Sequence, residues 1–263
     1  MNYNAILLDI DGGVATLTLN RPNALNALNP QMGEEFVDAV IRCRADSRVR
    51  VLILKGAGRA FCAGGDLKAF AQFLQGDPVV TFRTLATRLH AGITEIRHME
   101  KPVIAQVHGA AVGAGMSLAL ACDLTIAAET AQFIMAYARV GLSPDASSTY
   151  FLPRLVGLKK ALELFYTADP IDAREAYRLG LINRVVPEEE LEKETRALAQ
   201  RLASGPSLAL GRAKELVYRS LSETLETQLE NERQSIALSG LTEDFREGVQ
   251  AFVEKRHPKF VGR

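Results

Sequence analysis

Two glycine-rich stretches contain the residues of this chain that are best suited to chemistry. The first covers residues 61–68 (FCAGGDLK) and the second covers residues 108–115 (HGAAVGAG). Each follows a short apolar run and leads into a helix-like pattern, which predicts a turn from a strand into a helix. At such a turn the first backbone N–H groups of the helix are unpaired, and the helix dipole adds positive potential there.

Two turns of this kind that face each other can hold the negative charge that develops on the oxygen of a polarised carbonyl group. The glycines therefore indicate chemistry that passes through an enolate. The alternative is that glycine at these places only permits tight turns and close packing of helices.

The pattern around the two turns predicts an α/β fold. Apolar periodicity predicts strands at residues 5–10, 14–19, 51–55, 103–107 and 124–127, and helices at residues 31–46, 81–99 and 114–121. A short strand and turn follow at residues 132–142, and a helix begins at Ser147. Further helices are predicted at residues 158–167, 172–179, 187–203, 207–221, 225–238 and 242–254. We therefore predict an α/β core over residues 1–195 and a helical subdomain over residues 196–263.

The composition excludes several classes of partner. The chain has 263 residues with 31 basic and 31 acidic side chains, and no basic block. Neither nucleic acid nor a charged membrane surface is therefore expected as a partner. Cys43, Cys62 and Cys122 are odd in number and lack metal-ligand spacing, which predicts free thiols in the cytoplasm. No export signal, membrane span or metal site is expected.

Longer motifs follow one another along the whole chain. They are found at residues 20–28 (NRPNALNAL), 61–67 (FCAGGDL), 101–105 (KPVIA), 109–115 (GAAVGAG), 121–123 (ACD), 173–176 (AREA) and 180–186 (GLINRVV). Together these motifs resemble the crotonase superfamily, also called the enoyl-CoA hydratase/isomerase family. The resemblance implies a crotonase-like spiral of ββα units and an acyl-CoA thioester as substrate, with no separate cofactor. It also implies a homotrimer or hexamer, with the C-terminal helical subdomain mediating trimerisation.

The resemblance assigns roles to individual residues by their position in the motifs. The N–H groups of Gly65 and Ala114 are expected to hold the thioester oxygen. A second set is expected to line the path of the CoA substrate, namely Ala24, Leu25, Ala63, Asp66 and Leu67.

Two positions depart from the pattern of the hydratases in this family. Hydratases have one glutamate on the helix after the second glycine stretch and another after the following strand, because hydration must both hold a water molecule and deliver a proton. This chain has Ser117 and Tyr137 there. Tyrosine, with an ordinary pKa of about 10, is a poor base at neutral pH. Efficient hydration is therefore not expected, and Tyr137 is expected to line the substrate pocket.

A different carboxylate is available in the segment 141–145 (GLSPD). Asp145 precedes the helix that begins at Ser147, so one interpretation is that Asp145 is only the N-cap of that helix. The segments 133–137, 141–145, 152–154 and 244–260 resemble the branch of the family that contains ring 1,2-epoxyphenylacetyl-CoA isomerase. That resemblance implies that Asp145 is the acid/base residue. Ser147 and Ser148 depart from the glycine pair that this branch usually has.

The sequence thus predicts an isomerase that shifts a double bond or opens a ring epoxide through a thioester enolate. Apolar neighbours such as Tyr137, Leu142 and Phe151 are expected around the base. The alternatives are a hydratase of weak activity, a CoA-binding scaffold without catalysis, and an aryl-CoA dehalogenase in which Asp145 is the nucleophile. In the last case His90 would activate water, although this histidine is also interpreted as a half-buried helix residue beside Leu89. The chain has no tryptophan, which the dehalogenases place before the turn.

Overall fold

The computed structural model describes residues 3–73 and 76–263 of the chain. Within those residues, nine strands form two sheets. The strands are β1 (Ile6–Asp11), β2 (Val14–Leu19), β3 (Val51–Gly56), β4 (Val103–Val107), β5 (Ala110–Val112), β6 (Leu124–Ala128), β7 (Gln132–Ile134), β8 (Ile171–Asp172) and β9 (Arg184–Val186). The predicted α/β class is confirmed.

Ten α-helices lie between and after these strands in the described part of the chain. They are α1 (Pro30–Ala45), α2 (Leu67–Phe73), α3 (Pro78–His98), α4 (Ala114–Ala121), α5 (Ser148–Thr167), α6 (Ala173–Arg178), α7 (Leu191–Ala203), α8 (Ser207–Arg219), α9 (Leu225–Ser239) and α10 (Glu243–Val253). No helix in the described ranges is both long and apolar enough to cross a membrane.

The larger sheet has six strands in the order β1-β2-β3-β4-β6-β9. Within this sheet only the β1–β2 pair, a hairpin, is antiparallel, and every later neighbour is parallel. The smaller sheet has the order β5-β7-β8. The three-residue strand β5 comes directly after β4, so the chain passes from one sheet to the other at the second glycine stretch.

Both faces of the larger sheet are covered, which explains why β3 and β4 are almost continuously apolar. Side chains alternate between the faces along β3. Val51 and Ile53 pack with Leu198 of α7 on one face. Leu52 belongs to the larger core cluster on the other face, which includes Phe36 of α1. The sheet is therefore a rigid support for the turns at its strand ends.

The C-terminal helices are joined to the core by a buried ion pair. The Lys214 ammonium group on α8 lies 2.7 Å from the carboxylate of Asp123, and both side chains are largely buried. The Tyr218 hydroxyl donates to the same carboxylate at 3.1 Å. The division of the chain between residues 195 and 196 stays a prediction, and that position falls inside α7.

Several details differ from the sequence pattern. The segments predicted to start at Ser147 and at residue 158 are combined in α5, where Gly157 interrupts the helix with a φ of +78°. The pattern also missed β5, β8 and β9, which have two or three residues each and pair with other segments of the chain. By contrast, Thr242 caps α10, since its side chain accepts a hydrogen bond from the N–H of Phe245 at 3.1 Å.

Candidate active site

The two glycine-rich stretches run side by side in the same direction. The N–H of Cys62 donates to the carbonyl oxygen of Ala110 at 3.0 Å, and the N–H of Val112 donates to the carbonyl oxygen of Cys62 at 2.9 Å. These two bonds form a parallel bridge between the segments. A few residues further on, Gly65 and Ala114 line the same cavity.

Gly65 and Ala114 each have a free N–H group. Within the described residues, neither amide donates a hydrogen bond to another group. Ala114 is the first residue of α4, where a helix leaves its N–H groups unpaired and its dipole is positive. Two neighbouring unpaired amides of this kind are suited to hold an oxyanion.

Gly64 permits the close approach of the two turns. Its φ is +88°, a backbone conformation that favours glycine. A Cβ atom at this position would lie 2.7 Å from the carbonyl oxygen of Val112 and 3.6 Å from the nitrogen of Ala114. A larger residue would therefore push the two amide-bearing turns apart.

The cavity beside these amides has a volume of about 720 Å³. Most of its wall is apolar, with side chains from α2, α3 and the segment before Asp145. The apolar and aromatic lining includes Leu67, Phe70, Phe82, Leu85, Leu89, Tyr137, Val140 and Leu142. Phe70 and Phe82 contact each other edge to face, with ring centroids 5.1 Å apart. The contribution of α3 was not predicted, because its apolar face has the pattern of any buried helix.

Asp145 lines this cavity in the turn before α5, and its side chain is 38% exposed. Its backbone carbonyl accepts hydrogen bonds from the N–H of Ser148 at 3.1 Å and from the Ser148 hydroxyl at 2.8 Å. The N-cap position of α5 belongs to Ser147, which makes no side-chain capping bond. The interpretation of Asp145 as an N-cap is therefore wrong, since its carbonyl and not its carboxylate contacts the first turn of the helix.

Tyr137 and Ser117 form a buried pair next to Asp145. Their hydroxyl oxygens lie 2.9 Å apart, and the Tyr137 hydroxyl donates to the backbone carbonyl of Asp145 at 3.3 Å. Burial raises the pKa of Tyr137, and the nearby charge of Asp145 raises it further. The phenol therefore stays protonated at neutral pH and is a hydrogen-bond donor.

His90, on α3, points at the Asp145 turn. Its Nε2 atom accepts a hydrogen bond from the N–H of Ala146 at 3.2 Å and lies 4.0 Å from Oδ2 of Asp145. The imidazole is half exposed. His90 lies on a helix and is half exposed, as its interpretation as an ordinary helix residue has it, but the fold also brings it to Asp145. The resemblance to the dehalogenases had connected these two positions, whereas no local pattern in the sequence does.

The predicted substrate-path residues divide into two groups. Ala63 and Leu67 line the cavity, as Tyr137 does. The residues Ala24, Leu25 and Asp66 do not belong to the cavity wall described here. Ala24 and Leu25 lie in an adjoining turn, where the N–H of Ala63 donates to the carbonyl of Leu25 at 2.9 Å, and Asp66 lies directly before α2.

Asp66 has a structural partner in that turn. Its carboxylate lies 2.9 Å from the guanidinium group of Arg21, and it accepts hydrogen bonds from the N–H groups of Lys68 and Ala69 at the start of α2. Burial alone raises the pKa of Asp66, but these donors outweigh burial and lower the pKa below its ordinary value. The ionised carboxylate therefore fixes the chain directly after the first glycine turn.

The three cysteines are free and buried. Burial raises the pKa of the Cys62 thiol to about 12 and that of Cys43 to about 11. These thiols are neutral at physiological pH, so Cys62 is not an activated nucleophile although it lies beside the free amides.

Comparisons with known proteins agree with this geometry. The model of the Enoyl-CoA hydratase/isomerase family matches residues 9–263. A Rhodobacter capsulatus protein named "Probable enoyl-CoA hydratase" is 43% identical over the whole of both chains. The 1,2-epoxyphenylacetyl-CoA isomerase of Escherichia coli is 38% identical over 98% of each chain.

The fold is also similar to that of solved structures. The crystal structure of an enoyl-CoA hydratase from Polaromonas sp. JS666 has a TM-score of 0.94 and 36% identity, covering 98% of this chain and 100% of that chain. The crotonase-like fold is confirmed by this similarity. The chain belongs to the enoyl-CoA hydratase/isomerase family.

Proposed function

We infer that this member of the family is an acyl-CoA isomerase, which shifts a double bond or opens a ring epoxide through a thioester enolate. In this proposal the N–H groups of Gly65 and Ala114 hold the thioester oxygen and Asp145 moves the proton. The acyl-CoA thioester is the substrate, and the reaction uses no further cofactor.

One observation carries the proposal. In the described part of the chain, the two free amides and a single carboxylate, that of Asp145, line one apolar cavity. At the two positions where the family's hydratases have glutamates, Ser117 and Tyr137 bond to each other. A proton shuttle needs one carboxylate, whereas hydration needs one group to hold water and another to deliver a proton.

The steps on a 3-enoyl-CoA conserve atoms and electrons. Asp145 removes a proton from C2, and the electron pair of the C–H bond enters the C1–C2 bond while negative charge moves to the thioester oxygen. The amides of Gly65 and Ala114 stabilise that charge, and each such donor contributes about 3–4 kcal/mol in enzymes where one was removed. Asp145 then returns the proton at C4, which gives the conjugated 2-enoyl-CoA. A ring epoxide would give an oxepin.

The test compares two reactions on purified protein. A 3-enoyl-CoA is followed in the ultraviolet band of the conjugated thioester, and hydration of a 2-enoyl-CoA is followed in parallel. We expect the wild type to isomerise faster than it hydrates. Asp145→Asn should lower isomerisation by about 10²- to 10⁴-fold, as loss of a general base does.

Asp169→Asn is the matched control, because that aspartate is exposed and does not line the cavity. It should retain wild-type activity. Hydration that exceeds isomerisation in the wild type would contradict the proposal. A protein that binds acyl-CoA but turns over neither substrate would be the non-catalytic scaffold.

A second candidate is aryl-CoA dehalogenation with Asp145 as nucleophile. The observation that favours it is His90, whose Nε2 lies 4.0 Å from Oδ2 of Asp145 and could activate the water that releases the product. Incubation with a 4-halobenzoyl-CoA, followed by mass spectrometry of the peptide that contains Asp145, would detect an aryl ester. Halide release with such an ester would support this candidate over the isomerase.

We further infer that the chain assembles into a homotrimer or a hexamer. Large apolar side chains are exposed along α8, α9 and α10, and many exposed apolar side chains on neighbouring elements are typical of an interface. They include Val217, Leu225, Leu229, Ile236, Phe245, Phe252 and Val253.

A further inference from the structure

The turn that holds Asp145 has an unusual backbone. Ala146 and Ser147 both have positive φ angles, +51° and +66°, in a region that residues with a Cβ atom seldom occupy. Ala146 is also fully buried. Such a conformation persists only where surrounding contacts hold it. Those contacts therefore decide where the Asp145 carboxylate lies.

Contacts to this turn come from three elements. The Asp145 carbonyl is held from α5 by Ser148 and from the segment before the turn by Tyr137. The N–H of Ala146 is held from α3, because it donates to Nε2 of His90 at 3.2 Å. This last bond ties the turn to α3, the helix whose other side chains line the cavity.

We propose that His90 is a positioning residue whose neutral imidazole, by accepting the Ala146 N–H, holds the turn that presents Asp145 to the cavity. Nε2 must carry no proton in this arrangement, so the proton of the neutral ring is on Nδ1. His90 is absent from the cavity wall in the described residues. It therefore acts through the turn and does not touch the acyl group. Its effect on turnover rests on the proposed function, whereas its effect on the turn does not.

Protonation of His90 removes the acceptor. An imidazolium ring presents an N–H to the Ala146 N–H, and the ring then has the Asp145 carboxylate, 4.0 Å away, as its alternative partner. Both changes withdraw the carboxylate from the cavity.

Among the groups around His90, Asp145 is the charged group that lies close enough to pair with the imidazole. On α3 the positions one turn away, residues 86, 87, 93 and 94, are alanine, threonine, isoleucine and threonine. On α1, which packs against α3, Glu34 pairs with Arg88. Tyr137, from the segment before the turn, adds a protonated phenol. In the ranges described, the ion pair of His90 is with Asp145.

Two variants separate hydrogen-bond acceptance from other roles. His90→Gln places an amide oxygen, which accepts a hydrogen bond but does not titrate, near the position of Nε2. His90→Leu removes the acceptor. We expect His90→Leu to lower kcat for a 3-enoyl-CoA at least tenfold with a change in KM below threefold. His90→Gln should keep kcat within about threefold of wild type, since the acceptor is restored.

Rescue by glutamine is the readout that a merely structural role would not move, because His90→Gln and His90→Leu differ in whether they offer a hydrogen-bond acceptor. His98→Leu, at an exposed histidine at the end of the same helix, is the control and should keep the wild-type kcat. Wild-type kcat in His90→Leu would overturn the proposal. Equal loss in both His90 variants would also overturn it and make His90 a proton-transfer group.

A second measurement does not depend on any activity. In protein labelled with [15N]alanine, the Ala146 amide signal is assigned by its loss in Ala146→Gly. Its proton shift should move upfield in His90→Leu, which lacks the acceptor, and should stay near the wild-type value in His90→Gln. An Ala146 amide shift that is unchanged in His90→Leu would contradict the proposed bond even if the protein proved to be inactive as an isomerase.

Discussion

The hydroxyl groups of Ser117 and Tyr137 lie 2.9 Å apart. The sequence resemblance places the two glutamates of a hydratase at these positions. Tyr137 in turn donates to the backbone carbonyl of Asp145. The neutral side chains of Ser117 and Tyr137 therefore occupy two potential acid/base positions. Through Tyr137 they also hold the backbone of Asp145, whose carboxylate lines the cavity.

Removal of the Tyr137 hydroxyl tests this support. Tyr137→Phe keeps the ring in the cavity wall but deletes the bonds to Ser117 and to the Asp145 carbonyl. We expect a loss of about 1 kcal/mol in the free energy of unfolding, the usual contribution of one buried hydrogen bond. Isomerase kcat should fall about 3- to 10-fold, because the turn is less well held.

Urea unfolding and steady-state kinetics measure the two effects. Tyr166→Phe, in which the ring is 75% exposed, is the control for the loss of a phenol hydroxyl. An unchanged kcat in Tyr137→Phe would show that the pair does not support Asp145.

Gly64→Ala should damage both stability and activity. The new Cβ would lie 2.7 Å from the carbonyl of Val112, and the residue would also have an unfavourable positive φ. A residue with a Cβ in such a conformation costs about 1–3 kcal/mol, and the clash adds to that cost. Displacement of one amide should lower kcat about 10²-fold or more.

Gly12→Ala separates the cost of a positive φ angle from the cost of the steric clash that Gly64→Ala also causes. Gly12 has a φ of +56°, but nothing lies within 4 Å of the added Cβ. It should lose stability through the backbone alone and keep its kcat. Equal kinetic losses in the two variants would argue against a special role for the contact between the turns.

The sequence predicts the parts of the site that are local. A glycine that must have positive φ, such as Gly64, and a carboxylate in a proline-containing turn, such as Asp145, are both visible in short segments. The same holds for the cap at Thr242 and for the strands β3 and β4, whose apolar runs indicate burial on both faces.

The parts that the sequence did not predict depend on long-range contacts. The strand β5 has three small residues and exists because it pairs with Cys62 and with β7. The bond between His90 and Ala146 joins residues 56 positions apart. Local periodicity contains no information on either pairing, since both arise only when separate elements pack.

Asp66 should make stability depend on pH. Its pKa is lower in the folded protein than in the unfolded chain, because burial is outweighed by the hydrogen bonds from Arg21 and from the first turn of α2. The folded state therefore gains stability above the unfolded value of about 3.9, and this gain is lost as the pH falls through the lower folded pKa.

Asp66→Asn keeps a helix cap but removes the charge. At pH 7 it should be about 1–3 kcal/mol less stable than wild type, and the difference should narrow toward pH 3. Urea unfolding at both pH values measures this. A difference that is constant with pH would contradict the assigned ionisation.

The exposed apolar side chains of the last three helices predict an assembly. Light scattering coupled to size exclusion should give three or six times the mass of one chain. Phe252→Asp, at a side chain that is 85% exposed in the single chain, should shift the protein toward smaller species. Leu7→Asp, at an exposed leucine on β1, should not. A monomeric wild type would refute the prediction.

The most direct test of the central claim is the fate of hydrogen during turnover in H₂O of a 3-enoyl-CoA that carries deuterium at C2. With wild-type protein we predict a conjugated 2-enoyl-CoA that has deuterium at C4, because Asp145 returns the hydrogen that it removed, and no such product with Asp145→Asn, by mass spectrometry and NMR. A 3-hydroxyacyl-CoA as the main product, or the same labelled product at the same rate from Asp145→Asn, would contradict the account.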